Sequence, residues 1–170
     1  MRRPFMAVFL SGMLYSAAMA QDVFKKPLPT GYFFVAPGVR VDTRQSTLEI
    51  GGGGELYVYK GLGFGGDVGG LRTPSKDAAG NTVYRWTGMA AFHAIYNFQM
   101  SAKQKIHPFV VFGFTIIPAF DTPGGYNVGG GVQYWFSTHL GVRVEFREHV
   151  LTGARSHQYP QARIGLAFRK

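Results

Sequence analysis

The chain has 170 residues, enough for one domain, and combines 24 Gly, 15 Phe, 9 Tyr and 2 Trp with only 16% charged residues. That mixture suits strands that meet other strands or lipid, and the absence of Cys excludes disulfide scaffolds, Cys-ligated metal sites and cysteine nucleophiles. The formal charge is +9, from 18 basic and 9 acidic residues, but the bases are scattered singly and form no nucleic-acid footprint.

The chain opens with a positive Met1-Arg2-Arg3. A mostly apolar stretch from Phe5 to Tyr15 follows, and then Ala18-Met19-Ala20 before Gln21. This is the layout of a secretory signal peptide with an A-x-A cleavage site. Residues 1–20 are therefore expected to be removed, which leaves 16 bases against 9 acids, a charge of +7. Residues 21–31 read as a polar, Pro-containing periplasmic lead-in. No later segment has 18 consecutive apolar residues, so an exported chain of this kind is either soluble or a β-barrel.

From Tyr32 onward the pattern has period 2, and eight strands are predicted. They span 32–42, 47–59, 61–72, 82–98, 105–117, 125–136, 139–150 and 160–169. Each reaches the roughly 10 residues that cross a bilayer at a tilt. Strand one sets Phe33, Val35, Val39 and Val41 against Phe34, Ala36, Gly38, Arg40 and Asp42. In strand two Leu48, Ile50, Leu56 and Val58 oppose Glu49, Gly51, Gly53, Glu55 and Tyr57. Asp67 shares a face with Gly63, Gly65 and Gly69 in strand three. In strand four Arg85, Thr87, His93 and Asn97 oppose Tyr84, Trp86, Phe92 and Tyr96. Phe109 to Ile117 is apolar on both faces, so the facing of strand five stays open. Strand seven sets Leu140, Val142, Val144 and Phe146 against Gly141, Arg143, Glu145, Arg147 and His149. Strand eight sets Ala162, Ile164, Leu166 and Phe168 against Arg163, Gly165 and Ala167.

The polar face is small as well as charged, with many Gly and few Lys, Ser or Gln. That composition suits a narrow, crowded interior better than a solvated surface, so the apolar face is expected to meet lipid. The fold class expected is all-β, an eight-stranded antiparallel up-and-down transmembrane β-barrel over residues 32–170. Tyr84, Trp86 and Tyr126 then form an outer aromatic girdle. Tyr96, Phe98, Tyr134, Phe136 and Phe168 form an inner one. Tight inner turns are expected at Lys60-Gly61 and Ser137-Thr138, with a longer one over Met100–Lys105. Longer outer loops are expected over Thr73–Asn81, Pro118–Gly124 and Thr152–Tyr159, with a short link at Arg44–Ser46.

With its signal peptide and eight strands, the sequence resembles the small eight-stranded outer-membrane β-barrel family, the OmpA/OmpX-like barrels. The final strand Ala162-Arg163-Ile164-Gly165-Leu166-Ala167-Phe168 carries this resemblance. So do Gly-Gly-Gly-Gly-Glu-Leu-Tyr-Val at 51–58 and Gly-Gly-Gly-Val-Gln-Tyr-Trp-Phe at 129–136. It implies an outer-membrane location, contact with outer-membrane lipid and lipopolysaccharide, and passage through periplasmic chaperones and the barrel-assembly machinery. Family members usually end on an aromatic residue, whereas here Arg169 and Lys170 follow Phe168.

The residues that could carry chemistry are the lumen charges. The acids are Asp42, Glu49, Glu55, Asp67 and Glu145. The bases are Arg40, Arg85, Arg143, Arg147 and Arg163. An eight-stranded interior is just filled by side chains, so these are expected to pair as a plug rather than to open an ion path. Gly61 to Gly66 imitates a dinucleotide loop but opens no helix, and the 51–54 run lacks the Gly-Lys of a P-loop. His149 and His157 flank the last outer loop, where headgroup-level positions or a weak metal or anion site are both open; no HExxH occurs. Some barrels of this size resemble lipid A deacylases. Here His149, Ser156 and Glu148 or Glu145 are the only nearby candidates, and the deacylase spacing of Ser two residues after His is absent. The expectation is a non-enzymatic outer-membrane barrel without cofactor or nucleic-acid partner, structural or surface-interacting in role. The alternatives are a weak small-ion channel, a surface adhesin, a lipid A-modifying barrel enzyme, or a soluble exported barrel binding an apolar ligand.

Overall fold

The period-2 runs form eight strands in a computed structural model, which describes residues 28–98, 104–118, 124–152 and 156–169. The signal-peptide expectation, most of the lead-in and parts of two outer loops fall outside those residues. The strands are β1 (Thr30–Arg40), β2 (Gln45–Tyr59), β3 (Leu62–Lys76), β4 (Thr82–Asn97), β5 (Ile106–Ile116), β6 (Gly124–Trp135), β7 (Leu140–Thr152) and β8 (His157–Arg169). Each pairs antiparallel with its sequence neighbour. The ring closes where β1 meets β8, from Thr30 opposite Arg169 to Gly38 opposite Gln161. Closure leaves the ring no sheet edge within the wall, and a wall without an edge satisfies its backbone in lipid.

Burial is inverted relative to a soluble protein. The outward positions are apolar and open: Phe33 is 66% exposed, Val68 68% and Phe112 63%. Glu49, Glu55, Asp67, Arg143, Glu145, Arg147 and Arg163 are all 3% exposed or less. This is the all-β transmembrane architecture, with an apolar outer wall and a polar interior. Every facing expected for strands one, two, three, four, seven and eight is the one observed. Strand five turns His107, Phe109, Val111 and Thr115 inward, and Phe112 and Phe114 outward.

The inner end is defined here as the one where β1 begins and β8 ends. Its tightest connection is Lys60-Gly61, where φ is 39° and 84°. Positive φ at both central residues is what a two-residue hairpin needs to match strand twist. At Gly61 a Cβ would also run into the Asn97 carbonyl, so no other residue fits.

Two outer connections, β3–β4 and β7–β8, are shorter than expected because strands beside them run on, whereas β1 ends at Arg40 and its link to β2 is longer than expected. β3 reaches Lys76 by pairing with β4 up to Thr82, and only residues 77–81 form the turn. Pro74 is tolerated there because pairing between β2 and β3 has already stopped at Leu48 and Arg72, so its missing donor faces no partner strand. Pairing between β4 and β5 begins only at Ala90. The β3–β4 hairpin therefore rises above its neighbours. β8 likewise begins at His157, three residues before the expected start, and β1 begins at Thr30 rather than Tyr32.

Candidate functional site

The lumen charges form one continuous chain of ion pairs. Arg143 donates from Nη1 to Glu55 at 2.6 Å and from Nε to Glu145 at 3.0 Å. Arg147 donates from Nε to Glu145 and from Nη1 to Asp67, both at 2.5 Å. Arg163 donates from Nη1 to Asp67 at 3.1 Å and from Nη2 to Glu49 at 3.0 Å. The order is Glu55, Arg143, Glu145, Arg147, Asp67, Arg163, Glu49, and acid alternates with base throughout. Each arginine fork bridges two carboxylates, a use of its planar donors that lysine cannot reproduce. The Tyr32 hydroxyl donates to Asp67, and the Tyr57 hydroxyl donates to Glu55 at 2.8 Å. His93 lies between Glu55 and Asp67, 3.8 and 3.9 Å from them.

Aromatic rings hold the guanidinium planes. Arg143 is sandwiched between Tyr32 and Phe109, 4.4 and 4.0 Å from their ring centres. Arg163 stacks on Phe34 at 4.3 Å. Stacking on a ring face is favourable for a cation and leaves the fork edges free for the acids.

The glycines make room for this chain. Across the ladder, Arg147 stands opposite Gly129, Glu145 opposite Gly131 and Arg143 opposite Gly165. Asp67 stands opposite Gly53, and Glu55 opposite Gly65. A Cβ at Gly53 would come within 2.8 Å of the Tyr32 hydroxyl and 2.9 Å of Asp67 Oδ1. One at Gly65 would reach 2.6 Å from His93 Nε2. The long charged side chains thus lie across bare backbone on the next strand. The two glycine runs are strand packing, and no helix follows either of them.

Apolar layers close both ends of the charged zone. Toward the inner end lie Tyr32, Phe34, Trp135 and Ala167, with Tyr57, Ile95, Phe109 and Val111 beside them. Toward the outer end lie Leu71, Met89, Ile117, Leu151 and Tyr159. All of these are buried. Arg169 stacks on Trp135 at 4.1 Å and donates to the Thr138 carbonyl, so the residue after Phe168 braces the inner floor.

Three of the ten expected network residues lie elsewhere. Arg85 has the expected facing but sits on the projecting β3–β4 hairpin. It is exposed and makes no ion pair among the described residues. Arg40 and Asp42 pair with each other at 2.9 Å on the outer rim, and His157 reaches Asp42 at 2.9 Å. Partial burial pushes the Asp42 carboxyl up, but hydrogen bonds and charge from Arg40 and His157 hold it below the usual carboxylate range. Alternation reports which face a side chain takes, not how far along the barrel axis it lies.

His149 is buried in the lumen rather than placed at headgroup level. Its Nε2 lies 3.2 Å from Arg163 Nη2, which can only donate, so Nε2 accepts and the ring proton belongs on Nδ1. Nδ1 is 2.8 Å from Thr115 Oγ1, which also accepts from Asn127. Glu148 points out of the opposite face of β7, and Ser156 is exposed beyond the rim. The His149, Ser156 and Glu148 set therefore does not converge, and Glu145 is committed to two arginines. No group of three or more metal-ligating side chains occurs among the described residues.

The eight expected girdle residues all point outward. Tyr84, Trp86 and Tyr126 are 58%, 55% and 45% exposed near the outer end. Tyr134, Phe136 and Phe168 are exposed near the inner end, where Tyr96 and Phe98 pack edge to face at 4.8 Å. Tyr59, 62% exposed with Lys60 over its ring, lies opposite the exposed Leu62 in the same inner row; alternation from the buried Tyr57 would turn it inward, and the register shift between Tyr57 and Tyr59 turns it out.

No protein-family model matches the chain, and no curated protein matches its sequence. Solved structures match its fold. Neisserial surface protein A superposes with a TM-score of 0.60 at 10% identity, over 84% of this chain and 96% of that one. The outer-membrane protein OprG of Pseudomonas aeruginosa gives 0.59 at 10% identity, over 88% and 99%. The N-terminal β-barrel domain of OprF from the same organism gives 0.55 at 12% identity, over 85% and 100%. The chain has the fold of the small eight-stranded outer-membrane barrels.

Proposed function

We propose that the protein is a non-enzymatic outer-membrane β-barrel, exported by its first 20 residues, with a structural or surface-interaction role. In this reading the ion-pair chain is a plug, and the two aromatic rows are girdles at the membrane interfaces. The observation that carries it is the buried chain of seven charges closed by apolar layers at both ends. Such a lumen leaves no continuous water column and offers a substrate no way to the carboxylates. Outer-membrane lipid and lipopolysaccharide are then its surroundings, and periplasmic chaperones and the barrel-assembly machinery deliver it.

Fractionation tests the location. The mature protein should be recovered in outer membranes with Gln21 as its N-terminus, and should change gel mobility on boiling. Recovery from the soluble periplasm would overturn the reading in favour of a soluble exported lipid binder. Planar-bilayer recordings test the plug: small, flickering currents at most are expected. A steady conductance of porin size would refute it.

A further inference from the structure

Most arginines at the outer end and in the lumen have a carboxylate or an exposed tip in water. Arg72 is different. It lies on the outward face of β3, half-buried, with no carboxylate in ion-pair reach among the described residues. Its guanidinium carbon sits 4.2 Å from the Tyr84 ring centre, which fixes the plane and leaves the donor edges unused. Arg72 pairs across the ladder with Leu48 and Trp86, at the level of the outer aromatic row. It forms one wall of a cleft of about 310 Å³ that also includes Ser46, Leu48, Pro74, Thr82 and Tyr84. Lys76, the next cation on the same face, donates to Thr82 at the cleft's edge at 2.9 Å. The acid next in sequence, Asp77, is engaged by the backbone amides of Ala79 and Asn81 in its own turn.

The wall below the cleft is shallow. Gly70 stands opposite Gly88, and Val68 opposite Gly52 and Ala90. Nothing lies within 4 Å of a Cβ placed on Gly88. With such small neighbours Val68 is 68% exposed. A polar cleft whose two cations have no carboxylate partner among the described residues thus sits above a stretch of small residues, open at Gly88 and bounded by the Trp86 ring over Gly70.

We propose that this β2–β3–β4 face binds the phosphorylated head of an outer-leaflet lipid, with its phosphate on Arg72 and Lys76 and its acyl chains over Gly88 and Val68. The proposal rests on the outer-membrane reading above. The chemistry is anion capture by two cations at an interface of low dielectric, with a cleft roomy enough for a sugar phosphate. The occupant is a lipid rather than free phosphate, because the wall next to the cleft is apolar and exposed, with Val68 68% exposed and open space over Gly88.

The test is native mass spectrometry of the folded mature chain in mild detergent, titrated with bisphosphorylated lipid A, with dephosphorylated lipid A, or with inorganic phosphate. The wild type should retain bisphosphorylated lipid A, and Arg72→Gln with Lys76→Gln should retain it about tenfold less well. Gly88→Leu, which fills open space and leaves the charges intact, should also weaken retention. Dephosphorylated lipid A should bind poorly to all variants, and millimolar phosphate should not displace the lipid. Equal retention by the wild type and the double variant would overturn the proposal. So would equal binding of the dephosphorylated lipid, or displacement by inorganic phosphate. Gel mobility before and after boiling checks folding; should the double variant not fold, Arg72→Gln alone and Gly88→Leu give the same reading. A barrel that fractionates with outer membranes yet shows no lipid preference sinks this proposal alone. A protein found in the soluble periplasm sinks the membrane reading itself.

Discussion

Arg147→Ala should lower the unfolding free energy by roughly 3–5 kcal/mol, the usual loss when one member of a buried ionic network is removed. Arg147 is fully buried and, among the described residues, is the sole bridge between Glu145 and Asp67. Its loss splits the chain and leaves two carboxylates short of a partner in the lumen. Combining it with Asp67→Asn should cost less than the sum of the two single changes, because the second change removes one of the orphaned charges. Arg85→Ala is the matched control. That arginine is exposed on the projecting hairpin, and its loss should stay within about 0.5 kcal/mol. Reversible urea unfolding in detergent or lipid measures the wild type and the four variants. An Arg147→Ala barrel as stable as the wild type would mean that the chain is not closed to water.

Val144→Lys should cost about 2–4 kcal/mol in a lipid bilayer, the range for a lysine on a barrel wall near the midplane. Val144 is 53% exposed and sits between Val132 and Ile164 on the outward face. Lysine there has neither a carboxylate nor headgroups within easy reach. Unfolding measured in bilayers reads the penalty, and unchanged stability there would reverse the assigned facing. Small-residue changes on the inward face are no gentle control. At Gly141 an added Cβ would come within 2.7 Å of the Tyr134 carbonyl and 2.9 Å of the Trp135 ring.

Face was legible in the sequence wherever charge and hydrocarbon alternate, as in Leu140 to His149. It was illegible in β5, where the inward residues Phe109 and Val111 are as apolar as the outward ones. Phe109 turns its flat ring inward under Arg143, a contact that comes from two strands away in the ring. Depth was less legible than face. Arg40, Asp42 and Arg85 have the right parity but sit above the charged zone, because strand tilt and stagger, which a single strand's alternation does not encode, decide height. The lumen histidines could have been found by the same parity, since His149 continues the run of Arg143, Glu145 and Arg147. What the sequence did not display was which charge meets which. Arg163 reaches Glu49 across 114 residues, and only ring closure brings them together.

That separation governs how the barrel assembles. The lumen charges of β2 and β3 are Glu49, Glu55 and Asp67, a local charge of −3; those of β7 and β8 are Arg143, Glu145, Arg147 and Arg163, a local charge of +2. The N-terminal half therefore stays acid-rich along its inner face until the last hairpin arrives. Ion pairing between the two halves and closure of the β1–β8 seam become a single event, with partners 80 to 114 residues apart. Long-range closure of this kind is slow. Attraction between the two halves favours the one circular arrangement that pairs them and penalises strand slippage, which would set Arg143 or Arg147 against bare wall. The charge pattern works as a latch, marking the finished barrel from every partly zipped intermediate.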